Sequence, residues 1–475
     1  MSASNDPSGY VLPTRDDPAL IAGADALGGP AGRRIALAAQ WWTPLRVLML
    51  LIVVTFAVGV YQKSYCFGDG WLSGGPFQQY AHACYSDVPH LYSGRGFAAG
   101  KLPYFDSGDY QSLEYPVLIG ATMELASLGA HLAHGLASQT ILFYELTALE
   151  LLICAVVLVA AVSKLAGRRP WDAAMVALSP ALLLAATINW DLVAVALAAL
   201  AMLAWARRHP VLAGALLGLA TAAKLYPVLL LAPLFFLCVR ARKLGAFGLL
   251  LLGTVVAWLA VNLPVLLPRP QAWKVFYTFS ETRGADFGSI WLALQDVAHR
   301  PVPTLNYWEG FLLVLLYIGI GWLTFTARRR PRFGQLAFLA IAAFVLANKV
   351  YSPQYVLWLI PLAVLARPRW RDFLIWQASE VLYFFAVWYY IMRQSGDRFG
   401  LTDGTYHAAI WIHVAGTVYF AVMVIRDILR PEHDPVRADG TDDPCGGVLV
   451  EGSETRTLVP PTASQASHVT VGEQS

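Results

Sequence analysis

Charge is scarce in this chain: Asp, Glu, Lys and Arg make up 14% of its 475 residues, while 57% are hydrophobic and the mean hydropathy is +0.53. That balance excludes a single water-soluble domain with a polar coat. The formal net charge is only +3, and the basic residues are dispersed in short clusters, so no nucleic-acid partner is expected. A GxxxxGK[ST] phosphate loop is missing, which leaves ATP-driven work unsupported, and no GxGxxG on a strand signals a soluble nucleotide-sugar domain. The five cysteines, Cys66, Cys84, Cys154, Cys238 and Cys445, include no CxxC pair, and no histidine stands at ligand spacing. No metal site is therefore expected. No internal repeat is evident, which weakens any transporter built from duplicated halves.

What is present is a succession of apolar runs, at about 45–60, 140–162, 173–188, 192–206, 211–223, 227–239, 246–266, 310–326, 336–346, 355–365, 373–392 and 408–425. The expected fold class is an all-α polytopic membrane protein of about twelve transmembrane helices, within a range of about eleven to thirteen. Several runs fall short of the ~20 residues that cross a bilayer, so these are read as tilted, broken or extended by their polar ends. The run 115–136 is read as a surface-lying or re-entrant helix, with a thirteenth span as the alternative, because counting it as a span moves Arg168 and Arg169 to the other side.

The linkers fall into two chemical kinds. One set is basic: Lys164/Arg168/Arg169, Arg207/Arg208, Arg240/Arg242/Lys243, Arg328/Arg329/Arg330/Arg332, Arg367/Arg369/Arg371 and Arg426/Arg430. These read as cytoplasmic by the positive-inside bias. The alternating set reads as the outer face and includes a first outer loop (61–114) and a second large one (267–308). Flanking the membrane domain (41–430), the segments 1–40 and 431–475 are polar and rich in Gly, Pro and acidic residues, and are expected to be disordered cytoplasmic tails. A cell-membrane location with both termini inside follows from that arrangement. Gly214 and Gly218, spaced as GxxxG, are read as a helix-packing motif.

The longest polar interruption, 85–116, gathers the inventory of a reactive site. Asp87 is by position a loop carboxylate, for which solvation is the plain account. As a base within reach of an acceptor hydroxyl it would take the proton released as a glycosyl bond forms, an effect typically of ~10² to 10⁴ in rate. Burial would raise its pKa, and a nearby Arg95 would lower it. Glu114 precedes Tyr115-Pro116, where a carboxylate near a helix start is the plain account. The alternative, shared with His90 and Tyr115, is support of Asp87 or of the acceptor. Lys224 and Lys349 each follow an apolar run and precede a Tyr and a Pro. Each is either a snorkelling anchor or a cation for a lipid phosphate at headgroup level, and Arg283 and Arg95 are read the same way. Asp191 is read first as a helix-starting acid. Cys66 and Cys84 both fall in the first outer loop, where either a disulfide or two free thiols fits.

Taken together, Tyr85-Ser86-Asp87, Glu114-Tyr115-Pro116, Asn189-Trp190-Asp191, Lys224-Leu225-Tyr226-Pro227 and Asn348-Lys349-Val350-Tyr351-Ser352-Pro353-Gln354 resemble the polyprenyl-phosphate-mannose-dependent mannosyltransferases of actinobacteria. That family lies within the C-type (GT-C fold) integral-membrane glycosyltransferases. The resemblance covers about 45–425. It implies an outward-facing catalytic cavity, a base carboxylate in the first outer loop, carried here onto Asp87, and a polyprenyl-phosphate sugar donor, usually of mannose. A glycan or glycolipid acceptor and inversion to an α-linkage are implied as well. The expected donor-phosphate groups are Lys224, Lys349, Arg283, Arg95, Tyr351 and Gln354, with membrane lipid around them and no cofactor. A lipid or solute transporter, or a non-catalytic scaffold, is the alternative reading.

Overall fold

The computed structural model describes residues 9–32, 42–68, 71–72, 77–106, 108 and 110–450. Among them every regular element is helical. Five helices are long and apolar enough to cross a bilayer: Pro44–Cys66, Leu136–Leu165, Leu244–Leu266, Leu305–Thr326 and Asp403–Leu429. Shorter apolar helices include Asp191–Ala206, Pro210–Ala223, Phe333–Ala347 and Pro353–Ala366. The 25-residue helix Trp370–Gln394 adds a more polar long element.

Burial sorts these helices into layers. Every residue of Val356–Ala366 is buried, as are nearly all of Phe333–Ala347, so these helices, apolar all round, form the centre. Leu244–Leu266 and Leu305–Thr326 instead expose Leu252, Val256, Val314 and Ile318, the composition of lipid-facing surfaces. Small residues set the closest approach. A Cβ on Gly214 would stand 2.0 Å from the Leu250 carbonyl oxygen, and one on Gly253 2.4 Å from that of Val211. The GxxxG helix thus packs backbone to backbone on its neighbour.

Two apolar runs depart from simple spans. The 173–188 run is broken into Pro170–Ala173, Ala174–Ala177 and Pro180–Ala185. Pro180 cannot continue the preceding turn. The Gln377 side chain holds the break, its Oε1 accepting from the Ser179 hydroxyl (2.7 Å) and the Ala181 amide (3.2 Å). The 115–136 run forms the helix Val117–Ala130 and then a turn. At 1.5 Å per residue this helix covers ~21 Å against a hydrocarbon core of ~30 Å, the same shortfall as Pro210–Ala223.

The basic linkers converge at the end of the bundle opposite the 85–116 stretch, and several are buried. Arg332 forks onto Asp434 (Nε to Oδ2 2.7 Å, Nη2 to Oδ1 2.9 Å) and donates to the Leu365 and Ala366 carbonyls. Arg367 pairs with Asp372 and Asp427, and Arg169 with Asp172 and Asp16. These contacts correct the expectation for the tails. Pro13–Asp16, Pro18–Gly32 and Pro435–Ala438 are helical, and Asp16, Asp17 and Asp434 tie 9–32 and 431–450 to the bundle. The physical reason is that tail carboxylates neutralise guanidinium groups which the fold takes out of water. The rest of both expected tails, 1–8, 33–41 and 451–475, lies outside the described residues.

Candidate functional site

The site is assembled from the chain upward by four tethers on the first loop. A disulfide joins Cys66 to Cys84 across 18 residues. Lys63, in the last turn of the first long helix and wholly buried, donates from Nζ to the Ala83 and Tyr85 carbonyls at 3.2 and 3.1 Å. Ser86 caps the short helix Asp87–Gly94, accepting from the Val88 amide while its hydroxyl donates to the Thr187 carbonyl at 2.7 Å. Finally, the Asp87 amide donates to the Ile188 carbonyl at 2.8 Å. The last two tethers end on the broken 173–188 segment, so that irregular stretch is what brings Asn189 beside Asp87.

Three neutral groups hold the Asp87 carboxylate: the Tyr85 hydroxyl (2.8 Å to Oδ1), the Tyr115 hydroxyl (3.3 Å to Oδ2) and the Asn189 amide (3.5 Å to Oδ2). The carboxylate reaches the wall of a cavity of about 540 Å³ while protein surrounds its remaining sides. Loss of hydration pushes its pKa above the ordinary value, and the three hydrogen bonds with Lys224 nearby oppose that rise. The Tyr115 phenol is driven well up by burial and by the Asp87 charge, so it serves Asp87 as a donor.

Each cation at this wall has its own carboxylate. Lys224 Nζ lies 3.3 Å from Asp191, 5.5 Å above the Tyr115 ring. Asp191 begins its helix, as expected of such an acid, and also accepts from Trp358 Nε1 at 2.6 Å. Arg95 and Glu114 form a two-pronged pair, Nε to Oε2 at 2.6 Å and Nη2 to Oε1 at 2.5 Å. Arg283 bonds Asp286 through Nε and Nη2 and is 33% exposed, against 16% for Lys224 and 14% for Arg95. Its remaining guanidinium donors are the most available in the cavity. Phe276, Phe279 and Phe287 continue the wall beside Arg283, and Tyr80, Tyr85 and Trp388 form an aromatic stack opposite, with Tyr85 and Trp388 centroids 4.7 Å apart. His90 stacks on Tyr85, and its Nε2 lies 2.9 Å from Gln79 Oε1; burial lowers its pKa.

The structure therefore brings Asp87, His90, Arg95, Glu114, Tyr115, Lys224, Arg283 and Gln354 to one cavity. Lys349 and Tyr351, expected at the donor phosphate, stand behind the wall, and that placement corrects the expectation. Lys349 is 5% exposed, and its Nζ donates to the Glu281 carbonyl (3.0 Å) and Asn306 Oδ1 (2.6 Å). The Tyr351 hydroxyl is buried against Glu380 and Thr417. Both residues fix the Arg283 loop through their main chains: the Asp286 amide donates to the Lys349 carbonyl, and the Tyr351 amide to that of Phe287. Gly288, at φ +77°, permits this approach, since a Cβ there would stand 2.2 Å from the Tyr351 carbonyl oxygen. Lys63 and Tyr80 carry no sequence signal that marks a site, and the Trp388-Tyr389-Tyr390 run reads from sequence only as an interfacial aromatic belt. Among the described residues, no group of three or more His, Cys, Asp or Glu is arranged to hold a metal ion.

Residues 123–348 match the model of GT87, Glycosyltransferase family 87. Among solved structures, the chain is similar to the crystal structure of ArnT from Cupriavidus metallidurans bound to undecaprenyl phosphate, at 16% identity and a TM-score of 0.40, over 80% of this chain and 77% of that one. No curated protein matches. A glycosyltransferase-family match on a chain whose described residues form only helices, five of them of membrane length and apolar, supports a membrane glycosyltransferase.

Proposed function

We propose that the protein transfers a hexose, mannose by the resemblance above, from a polyprenyl-phosphate donor to a glycan or glycolipid acceptor in the cavity at Asp87. The observation that carries this reading is one carboxylate held only by neutral donors and open to a cavity whose cations each have a partner of their own. Asp87 takes the proton of the acceptor hydroxyl while the acceptor oxygen bonds to the anomeric carbon. The carbon–oxygen bond to the prenyl phosphate breaks in the same displacement, and the phosphate leaves with the electron pair. Configuration at that carbon inverts, giving an α-linkage from a β-linked donor. A base with a pKa raised by burial is better matched to this proton than an ordinary aspartate.

Lys224 and Arg283 stabilise the leaving phosphate, because each keeps N–H donors beyond those its carboxylate partner uses. Arg95, locked on Glu114, forms part of the cavity wall. Gln354 adds a polar contact at the cavity, while Lys349 and Tyr351 act through the Arg283 loop. The phenylalanines beside Arg283 suit the first isoprene units of the donor. By the charge bias of the linkers, the cavity faces the extracytoplasmic side.

The test is purified protein in vesicles with radiolabelled polyprenyl-phosphate mannose and mannoside acceptors. Label moving into the acceptor is the expected result. Label crossing the membrane without entering any acceptor overturns the proposal in favour of transport.

A further inference from the structure

A second cavity, of about 630 Å³, opens at the same end of the bundle between the helix Ile290–Ala298, the last turns of Trp370–Gln394 and the first turn of Asp403–Leu429. It shares a wall with the first. Val387, Trp388 and Ile391 face the Asp87 cavity, whereas Tyr390 and Gln394 of the same helix face the second. The Phe287 ring of the first cavity stands edge-on to the Tyr390 ring of the second, with centroids 6.4 Å apart. The Phe287 and Tyr390 rings separate the two there.

Their chemistry differs. The first wall is aromatic and carries cation–carboxylate pairs. Most of the residues lining the second carry polar side chains, of both signs and without the phenylalanine cluster of the first. His407 Nε2 lies 3.0 Å from Asp296 Oδ2, and the Gln394 amide is 3.5 Å from Asp403 Oδ1. Asp296 and Asp403 would repel a phosphate, while carboxylate, amide and guanidinium groups set side by side engage adjacent hydroxyls in pairs. Arg300 stands exposed at the rim. Its volume lies within the ~300 to 1,000 Å³ of small-ligand sites.

We propose that this second cavity is a distal saccharide subsite, holding sugar units of the acceptor glycan away from the hydroxyl that receives the new sugar. The inference rests on the Asp87 cavity being the transfer site. It makes the protein prefer an acceptor already carrying several sugars, so the reaction upstream must be one that lengthens a glycan.

The probes are octyl mannosides of one, two, three and four sugar units, assayed with radiolabelled polyprenyl-phosphate mannose. Their binding to the donor-free protein is followed in parallel by saturation-transfer NMR. The expected result is a kcat/KM about tenfold higher for the longer acceptors, abolished in Asp403→Asn/Gln394→Ala and reduced in Arg300→Ala, with the single-sugar acceptor used at the wild-type rate throughout. Arg300 is exposed, so its replacement tests the cavity without loading the fold. Equal rates for all lengths overturn the subsite and leave the transfer reading standing. Asp403-dependent binding of the longer mannosides without transfer to any acceptor overturns the transfer reading and with it the acceptor role, leaving the second cavity a saccharide-binding site only. Neither transfer nor length-dependent binding overturns both.

Discussion

The two ends of the helical bundle treat buried charge in opposite ways. At the basic end Arg169, Arg332 and Arg367 are almost wholly buried, and each meets one or more carboxylates in direct ion pairs. At the cavity end Asp87 is offered three neutral donors, and the nearest cation, Lys224, is already matched to Asp191. A buried ion with its own counter-ion fixes structure, because removing either partner strands the other. A carboxylate held by hydroxyl and amide groups keeps its orientation and its capacity to accept a proton.

That contrast is broken most severely at Asp87 itself. Asp87→Asn keeps the hydrogen-bonding shape and removes the base, so kcat should fall by ~10² to 10⁴ with the detergent unfolding temperature unchanged; wild-type turnover would remove Asp87 from the reaction. The reciprocal change is Asp434→Ala, which leaves Arg332 buried and unpaired. It should cost about 3–5 kcal/mol of stability, read as a large drop in thermal midpoint, while any protein that folds keeps its KM for donor.

Next in size is the Cys66–Cys84 bond, whose loss in Cys66→Ser/Cys84→Ser should cost about 3 kcal/mol in the chain-entropy view. Stability and kcat should fall together, since the bond closes the loop that leads to Asp87. The smallest effect sharpens the comparison. Tyr115→Phe removes one donor to the ionised carboxylate, so the Asp87 pKa rises further and the base is lost at a higher pH. The acid limb of kcat/KM should move upward, with a deficit of roughly fivefold near it that closes as pH increases. A uniform loss at every pH would instead assign Tyr115 to acceptor binding.

The extent of the fold legible in sequence follows from where periodicity and hydropathy carry the signal. The long spans at Pro44–Cys66, Leu136–Leu165 and Leu244–Leu266 were marked by apolar length, and the Gly214 packing by its spacing. The break at Ser179-Pro180 has only its proline as a local sign, because what holds it is Gln377, a residue nothing in the local sequence connects to it. The docked tails escaped for a related reason: composition reports how little core a segment can bury, not that Asp434 meets a buried Arg332.

At the cavity, the polar stretch 85–116 and the Asn189, Lys224 and Arg283 segments were readable as interruptions of apolar sequence, and the fold brings them together. Lys349 looked the same as Lys224 by that criterion. Only the placement of Asn306 and the Glu281 carbonyl around its ammonium separates a cation behind the wall from one within it.

The helix Val117–Ala130 has a consequence for the surroundings of the protein. Its ~21 Å falls short of a ~30 Å hydrocarbon core while Leu125 and Leu128 stay exposed, so wherever this flank meets lipid the mismatch costs fractions of a kcal/mol per Å. Vesicles of thinner lipids should receive this flank with less distortion than thick, sterol-stiffened ones.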